Sequence, residues 1–147
     1  MRILMILTMI LLIISSISDI KKKEISILPV LIIVSIAFFY RGYNGGEENL
    51  CEEMIWRFIP GAVMFIISLV AHNSLGTGDA VIVLATGYIL GAWVNLYMLL
   101  LGSVMGGVYG LVMLVLKKMN RNDSLPFVPF LLFGLIGVNI CTGFDLI

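Results

Sequence analysis

The sequence predicts an all-α integral membrane protein of about six transmembrane helices, with both termini on the outer side. Three observations carry this expectation. Hydrophobic residues make up 61% of the chain and charged residues 12%, with a mean hydropathy of +1.12. A soluble domain has about 25% charge and 45–50% apolar residues, so this chain cannot cover itself with polar surface. Its apolar residues also fall in continuous runs rather than in the alternation of a membrane barrel, and helices satisfy their own backbone hydrogen bonds in lipid. Finally, lysine and arginine are divided unevenly between alternate loops. At about 20 residues per crossing, 147 residues form a single domain, with no room for a separate soluble one.

The first span runs from Ile3 to Ile17. Arg2 and this apolar stretch weakly resemble a secretory signal, but no small-x-small cleavage site lies near Ser15-Ser16-Ile17-Ser18, so the segment is taken as a retained helix. The second runs from about Ile25 to Tyr40, and the third from about Met54 to Ala71 with Pro60 inside it. No charge falls between Asp79 and Lys117, a stretch too long for one crossing. It is divided into a fourth span, Ala80 to about Gly91, and a fifth, about Trp93 to Leu116. The turn is set around Gly91-Ala92-Trp93-Val94-Asn95, where a small residue, an interfacial aromatic and an amide coincide. Gly87 and Gly91 in the fourth span, and Gly102, Gly106 and Gly110 in the fifth, have the four-residue spacing of close helix packing. The sixth span runs from about Leu125 to Ile140, and Pro126 and Pro129 are expected to break its start.

With six spans, the loops after the first, third and fifth share one side and carry Lys21, Lys22, Lys23, Lys117, Lys118 and Arg121. The other side receives Arg2, Arg41 and Arg57 beside Glu47, Glu48, Glu52 and Glu53. The positive-inside rule makes the lysine-rich side cytoplasmic. Asp19, at the end of the first span, and Asp79, at the start of the fourth, then lie at the same face.

These two aspartates are the candidate catalytic pair. A carboxylate beside hydrocarbon costs roughly 2.5–3.5 kcal/mol at a helix centre, so chains keep such groups mainly where they act. Two close carboxylates share one proton, and that is the apparatus of aspartyl proteolysis: the ionised member takes a proton from water and the protonated member polarises the scissile carbonyl. Asp79 closes Gly76-Thr77-Gly78-Asp79. Gly76 and Gly78 permit positive φ and a close backbone approach, which suits a turn beside an extended substrate. The bland alternatives are a flexible loop with Asp79 as a helix N-cap, and Asp19 as an interfacial anion balancing Lys21 to Lys23.

Other residues offer less. His72, alone at a membrane edge, reads as an interfacial or packing residue. One histidine and two separated cysteines give no metal-ligand spacing, so neither metal nor cofactor is expected. Cys51 and Cys141 fall on the outer side and read as free thiols. A net charge of +0 argues against a nucleic-acid partner. The acidic loop with Gly45 and Gly46 reads as a solvated connection.

Three stretches together resemble the type IV prepilin peptidases. Asp19-Ile20-Lys21-Lys22-Lys23-Glu24-Ile25 is similar to the family's first active-site stretch, an aspartate followed by a basic loop. Gly76-Thr77-Gly78-Asp79 resembles the Gly-x-Gly-Asp signature shared with presenilin-like proteases. Pro126-Phe127-Val128-Pro129-Phe130-Leu131 resembles Pro-Phe-Gly-Pro-Phe-Leu near the last helix. The matches stand in the family's order. The departures are Ser26 and Ile27 in place of Pro-Asn, Val81 in place of a lysine, and Val128 in place of a glycine.

The resemblance implies a Gly-x-Gly-Asp aspartyl endopeptidase bundle in the cell membrane, with Asp19 and Asp79 catalytic and Gly76, Gly78, Pro126 and Phe127 shaping the site. It implies a prepilin-like substrate, with a basic leader and a hydrophobic helix, cleaved at the cytoplasmic face after a glycine. The cysteine-bearing domain that accompanies N-methylation is missing, which leaves a protease-only form. Two rivals are a small transporter using intramembrane carboxylates and an inactive pilus-assembly scaffold. The transporter calls for more polar residues along the spans than are expected here.

Overall fold

The computed structural model describes residues 2–22, 27–43, 50–70, 76–118 and 125–142, which form six helices and, among the described residues, no strand. They are α1 (Arg2–Lys22), α2 (Ile27–Tyr43), α3 (Leu50–Val70), α4 (Thr77–Leu90), α5 (Ala92–Val115) and α6 (Val128–Thr142). Each expected span is a helix. Lys23, Gly45, Gly46, His72, Arg121 and the side chains of Lys21, Lys22 and Cys51 lie outside the described residues. The expectations that rest on them lie there too.

The short helix α4 is the centre. It packs against α1, α2, α3 and α5, and α6 closes on α1 and α5. A helix that is apolar all round is a buried one, and Ile82, Val83 and Ile89 of α4 are fully enclosed. They share the core with Leu11 and Leu12 of α1, Met98 of α5, and Leu131 and Leu135 of α6. Outward faces are equally apolar: Ile17, Leu31, Phe39, Trp56, Ile66, Val104 and Val115 are all exposed. Exposed apolar surface on this scale marks an interaction surface. Two helical stretches, Ile3–Ile20 and Ala92–Val115, are long and apolar enough to cross a membrane, and the other apolar helices are shorter.

The glycine stripe of α5 packs as expected. A Cβ on Gly102 would sit 3.0 Å from the Phe130 carbonyl oxygen, one on Gly106 3.3 Å from the Phe130 ring, and one on Gly110 3.3 Å from Leu125. Gly134 of α6 answers from the other side, against the Met98 carbonyl. On α4, Gly87 is pressed against α3, where its Cβ would meet the Arg57 carbonyl oxygen at 2.5 Å. Gly91 does not join that stripe. It has φ +92 with open space around it and is the whole link between α4 and α5.

The α4–α5 turn is therefore one residue, and Asn95 is not part of it. Asn95 lies in the first turn of α5, fully buried, where it donates to the Val83 carbonyl at 3.0 Å and accepts from the Thr86 hydroxyl at 2.8 Å. An amide in an apolar setting needs such partners, and α4 supplies them. Trp93, the aromatic of the expected turn, is 73% exposed at the start of α5. The interior is also more polar than expected, with Thr8, Ser15, Thr86, Asn95 and Asn139 all buried. Helix α6 begins at Val128 rather than Leu125; Pro126 lies in the lead-in, and Pro129 sits inside the first turn without breaking it. A first-turn proline lacks only an N–H that has no helical partner.

Candidate active site

Asp19 lies in the last turn of α1, which runs past Ile17 to Lys22, and is 7% exposed. Its Oδ2 accepts the Val128 N–H of α6 at 3.2 Å, and the Phe127 N–H faces the same carboxylate. The first N–H groups of a helix have no carbonyl of their own, and a carboxylate there also complements the helix dipole. Across 109 positions of sequence, the end of α1 thus supplies the acceptor that the start of α6 lacks.

Asp79 lies at the third position of α4 and is likewise 7% exposed. It is not the N-cap, which is Gly76. The Asp79 N–H donates to the Gly76 carbonyl at 3.0 Å, and its carboxylate turns back to the Gly76 N–H. This is the acidic half of a capping box. Gly76 has φ −68 and ψ 134, values open to any residue, and Gly78 lies inside the helix without positive φ. Conformational freedom is therefore not what Gly76 provides. Its contribution is space, since a Cβ there would stand 3.3 Å from Asp79 Oδ2.

The two carboxylates are brought together. α1 packs on α4, which places the two carboxylates within electrostatic reach of each other. Asp79 Oδ1 is buried and has no hydrogen-bond partner among the described residues. Ser15, one turn before Asp19, is 2% exposed, and its Oγ is also unpartnered. By contrast Thr8 and Ser35 each give their hydroxyl to the carbonyl four residues back. Pro126 and Phe127 are half-buried in the lead-in to α6, so Phe127 reaches the site through its backbone.

A groove of about 320 Å³ runs beside α4. Val30, Val34 and Phe38 form its α2 wall, and Val81, Leu84 and Tyr88 its α4 wall. Phe58 of α3 stacks on Tyr88 with ring centroids 6.0 Å apart. The groove begins at Val81, two residues past Asp79, and the seven residues to Tyr88 extend it by about 10 Å at 1.5 Å per residue.

Among the described residues no cluster of histidine, cysteine and acidic side chains could hold a metal ion. An apolar helical bundle that buries two carboxylates on packed helices at one end has the make-up of a membrane-associated hydrolase. Residues 6–111 match the type IV leader peptidase family, and the chain belongs to that family, which makes it a peptidase of leader-bearing, prepilin-like substrates. The match takes in both aspartates and Gly76 to Gly78 but stops short of Pro126 and Phe127. No curated protein and no solved structure matches the chain.

Proposed function

We propose that the chain is a membrane-embedded aspartyl endopeptidase that removes the basic leader of prepilin-like proteins, with Asp19 and Asp79 as its dyad. The observation that carries this reading is the pair of buried carboxylates on α1 and α4, close enough to interact, with one oxygen unpartnered. One carboxylate takes a proton from water as the water oxygen bonds to the scissile carbonyl carbon, and the other gives its proton to the carbonyl oxygen. Collapse of the tetrahedral intermediate re-forms the C=O bond and breaks the C–N bond; the hydroxyl returns its proton to the carboxylate that gave it, and the amine leaves with the proton taken from water. No metal or cofactor enters, and N-methyl transfer is not expected.

In this reading all six helices span the cell membrane, both termini face outward, and the site lies at the cytoplasmic face. Exposed Lys117 and Lys118 at the end of α5 support that orientation. The apolar helix behind the leader lies in the groove along α4, which sets the scissile bond at the level of Asp79. Val34→Trp, which fills the groove, is expected to lower prepilin cleavage about tenfold, the worth of burying one large apolar side chain. Unchanged cleavage would take the groove out of the substrate's path. Gly76→Ala pushes on Asp79 Oδ2 and is expected to cost several-fold to about tenfold in kcat, because small misplacements of reacting groups are expensive. Wild-type kcat in this variant would show that the carboxylate has room to yield.

The test of the reading itself is co-expression with candidate prepilins. Wild type is expected to shorten at least one of them by its leader. Failure with several would move the scaffold ahead.

A further inference from the structure

The two carboxylates are anchored differently. Asp79 is tied to Gly76, three residues back at the start of its own helix, so its anchor travels with α4. Asp19 is tied to another helix altogether, through Val128. The first turn of α6 accounts for each of its donors. The Phe130 and Leu131 N–H groups go to the Phe127 carbonyl at 3.0 and 3.3 Å, which makes Phe127 the N-cap and Val128 the first helical residue. Pro129 has no N–H. The remaining donors, on Phe127 and Val128, both face Asp19.

From this arrangement we infer that the Val128 main-chain amide is a positioning group of the active site, holding the Asp19 carboxylate at the depth and orientation in which it meets Asp79. This rests on the proposed dyad and extends it to a residue outside the stretch that matches the family. The bond comes from the backbone, so the valine at this position is no obstacle to it. What the side chain adds is packing, since Val128 is fully buried. A hydrogen bond to a charged acceptor is about twice as strong as a neutral one. Losing it also frees a side chain at a helix end, where small displacements of a reacting group are costly.

The geometry offers a selective way to remove the donor. Proline is favoured at the first helical position, because its missing N–H has no intrahelical partner there and its φ already suits the helix. Val128→Pro therefore deletes the bond to Asp19 and leaves the helix. Replacing the Val128 amide by an ester, through incorporation of the α-hydroxy analogue of valine, deletes the same N–H and keeps the side chain. Val128→Ala keeps the N–H and trims the side chain.

The measurement is steady-state cleavage of a full-length prepilin by the purified full chain in detergent, with kcat and KM determined separately. Val128→Pro and the ester are expected to lose about tenfold to a hundredfold in kcat, with KM within about twofold. Val128→Ala should stay within about threefold of wild type in both. Wild-type kcat in both the proline and ester forms would overturn the inference. So would an equal loss in Val128→Ala, which would trace the effect to packing. A wild-type protein that cleaves no prepilin would overturn the dyad itself, a different failure from one confined to position 128.

Discussion

Asp79→Asn is expected to abolish leader cleavage, by about a thousandfold or more, while the protein inserts and folds as before. Asparagine matches the carboxylate in shape and still offers an oxygen to the Gly76 N–H, so the start of α4 should persist. What it lacks is the titrating proton, and positioned proton transfer is worth about 10²–10⁴ in rate. Asp19→Asn should act alike, since its amide oxygen can still accept the Val128 N–H. Replacing either carboxylate by a neutral amide also removes the cost of holding two ionisable groups together in a buried site. Both variants should therefore be at least as stable as wild type to heating in detergent, as expected where an active site carries strain. Gel mobility of a co-expressed prepilin reads the first effect, and the thermal midpoint reads the second. Undiminished cleavage by either variant would remove that residue from the dyad.

Gly87→Val should have the largest effect on the fold. A Cβ at this position would lie 2.5 Å from the Arg57 carbonyl oxygen and 2.8 Å from Asn95 Nδ2. The first of these is backbone, so no rotamer relieves it. The second is the group that donates to Val83 and helps bind α4 to α5. Overpacking costs about 1–3 kcal/mol and lost buried hydrogen bonds about 1 kcal/mol each, so a loss of about 3 kcal/mol or more is expected. Gly107→Val on α5, where nothing lies within 4 Å, should be close to neutral. Similar thermal midpoints for the two variants would contradict the close crossing of α3 and α4.

The helices were legible because apolar helices follow a simple grammar: long apolar runs, charges between them, and small residues where backbones meet. Gly102, Gly106 and Gly110 could be assigned to packing before any partner was known. The α4–α5 boundary was read less well. An amide in an apolar run looks like an interfacial residue unless its partner is known, and Thr86, nine residues earlier on the preceding helix, is invisible to a local reading. The Gly-x-Gly-Asp stretch was located for one reason and is built for another. Its residues suggested a flexible turn, whereas the helix starts at Thr77 and Gly76 makes room for a carboxylate. Least legible was the anchor of Asp19. A backbone N–H has no letter, and the valine at 128 gives no sign of it. The proline that follows was the available clue, since a first turn missing one donor is a helix start in need of accounting.

The single glycine between α4 and α5 has a mechanical consequence. Bonds from the Gly91 N–H to the Gly87 carbonyl and from the Asn95 N–H to the Gly91 carbonyl straddle the bend, and the Thr86–Asn95 pair clasps the two arms. A joint with no slack and a clasp on either side does not swivel. The two helices form one bracket, and Asp79 rides on its shorter arm. Any adjustment of the gap between the aspartates must then come from the opposite jaw, where the Asp19 carboxylate at the end of α1 is held by the start of α6.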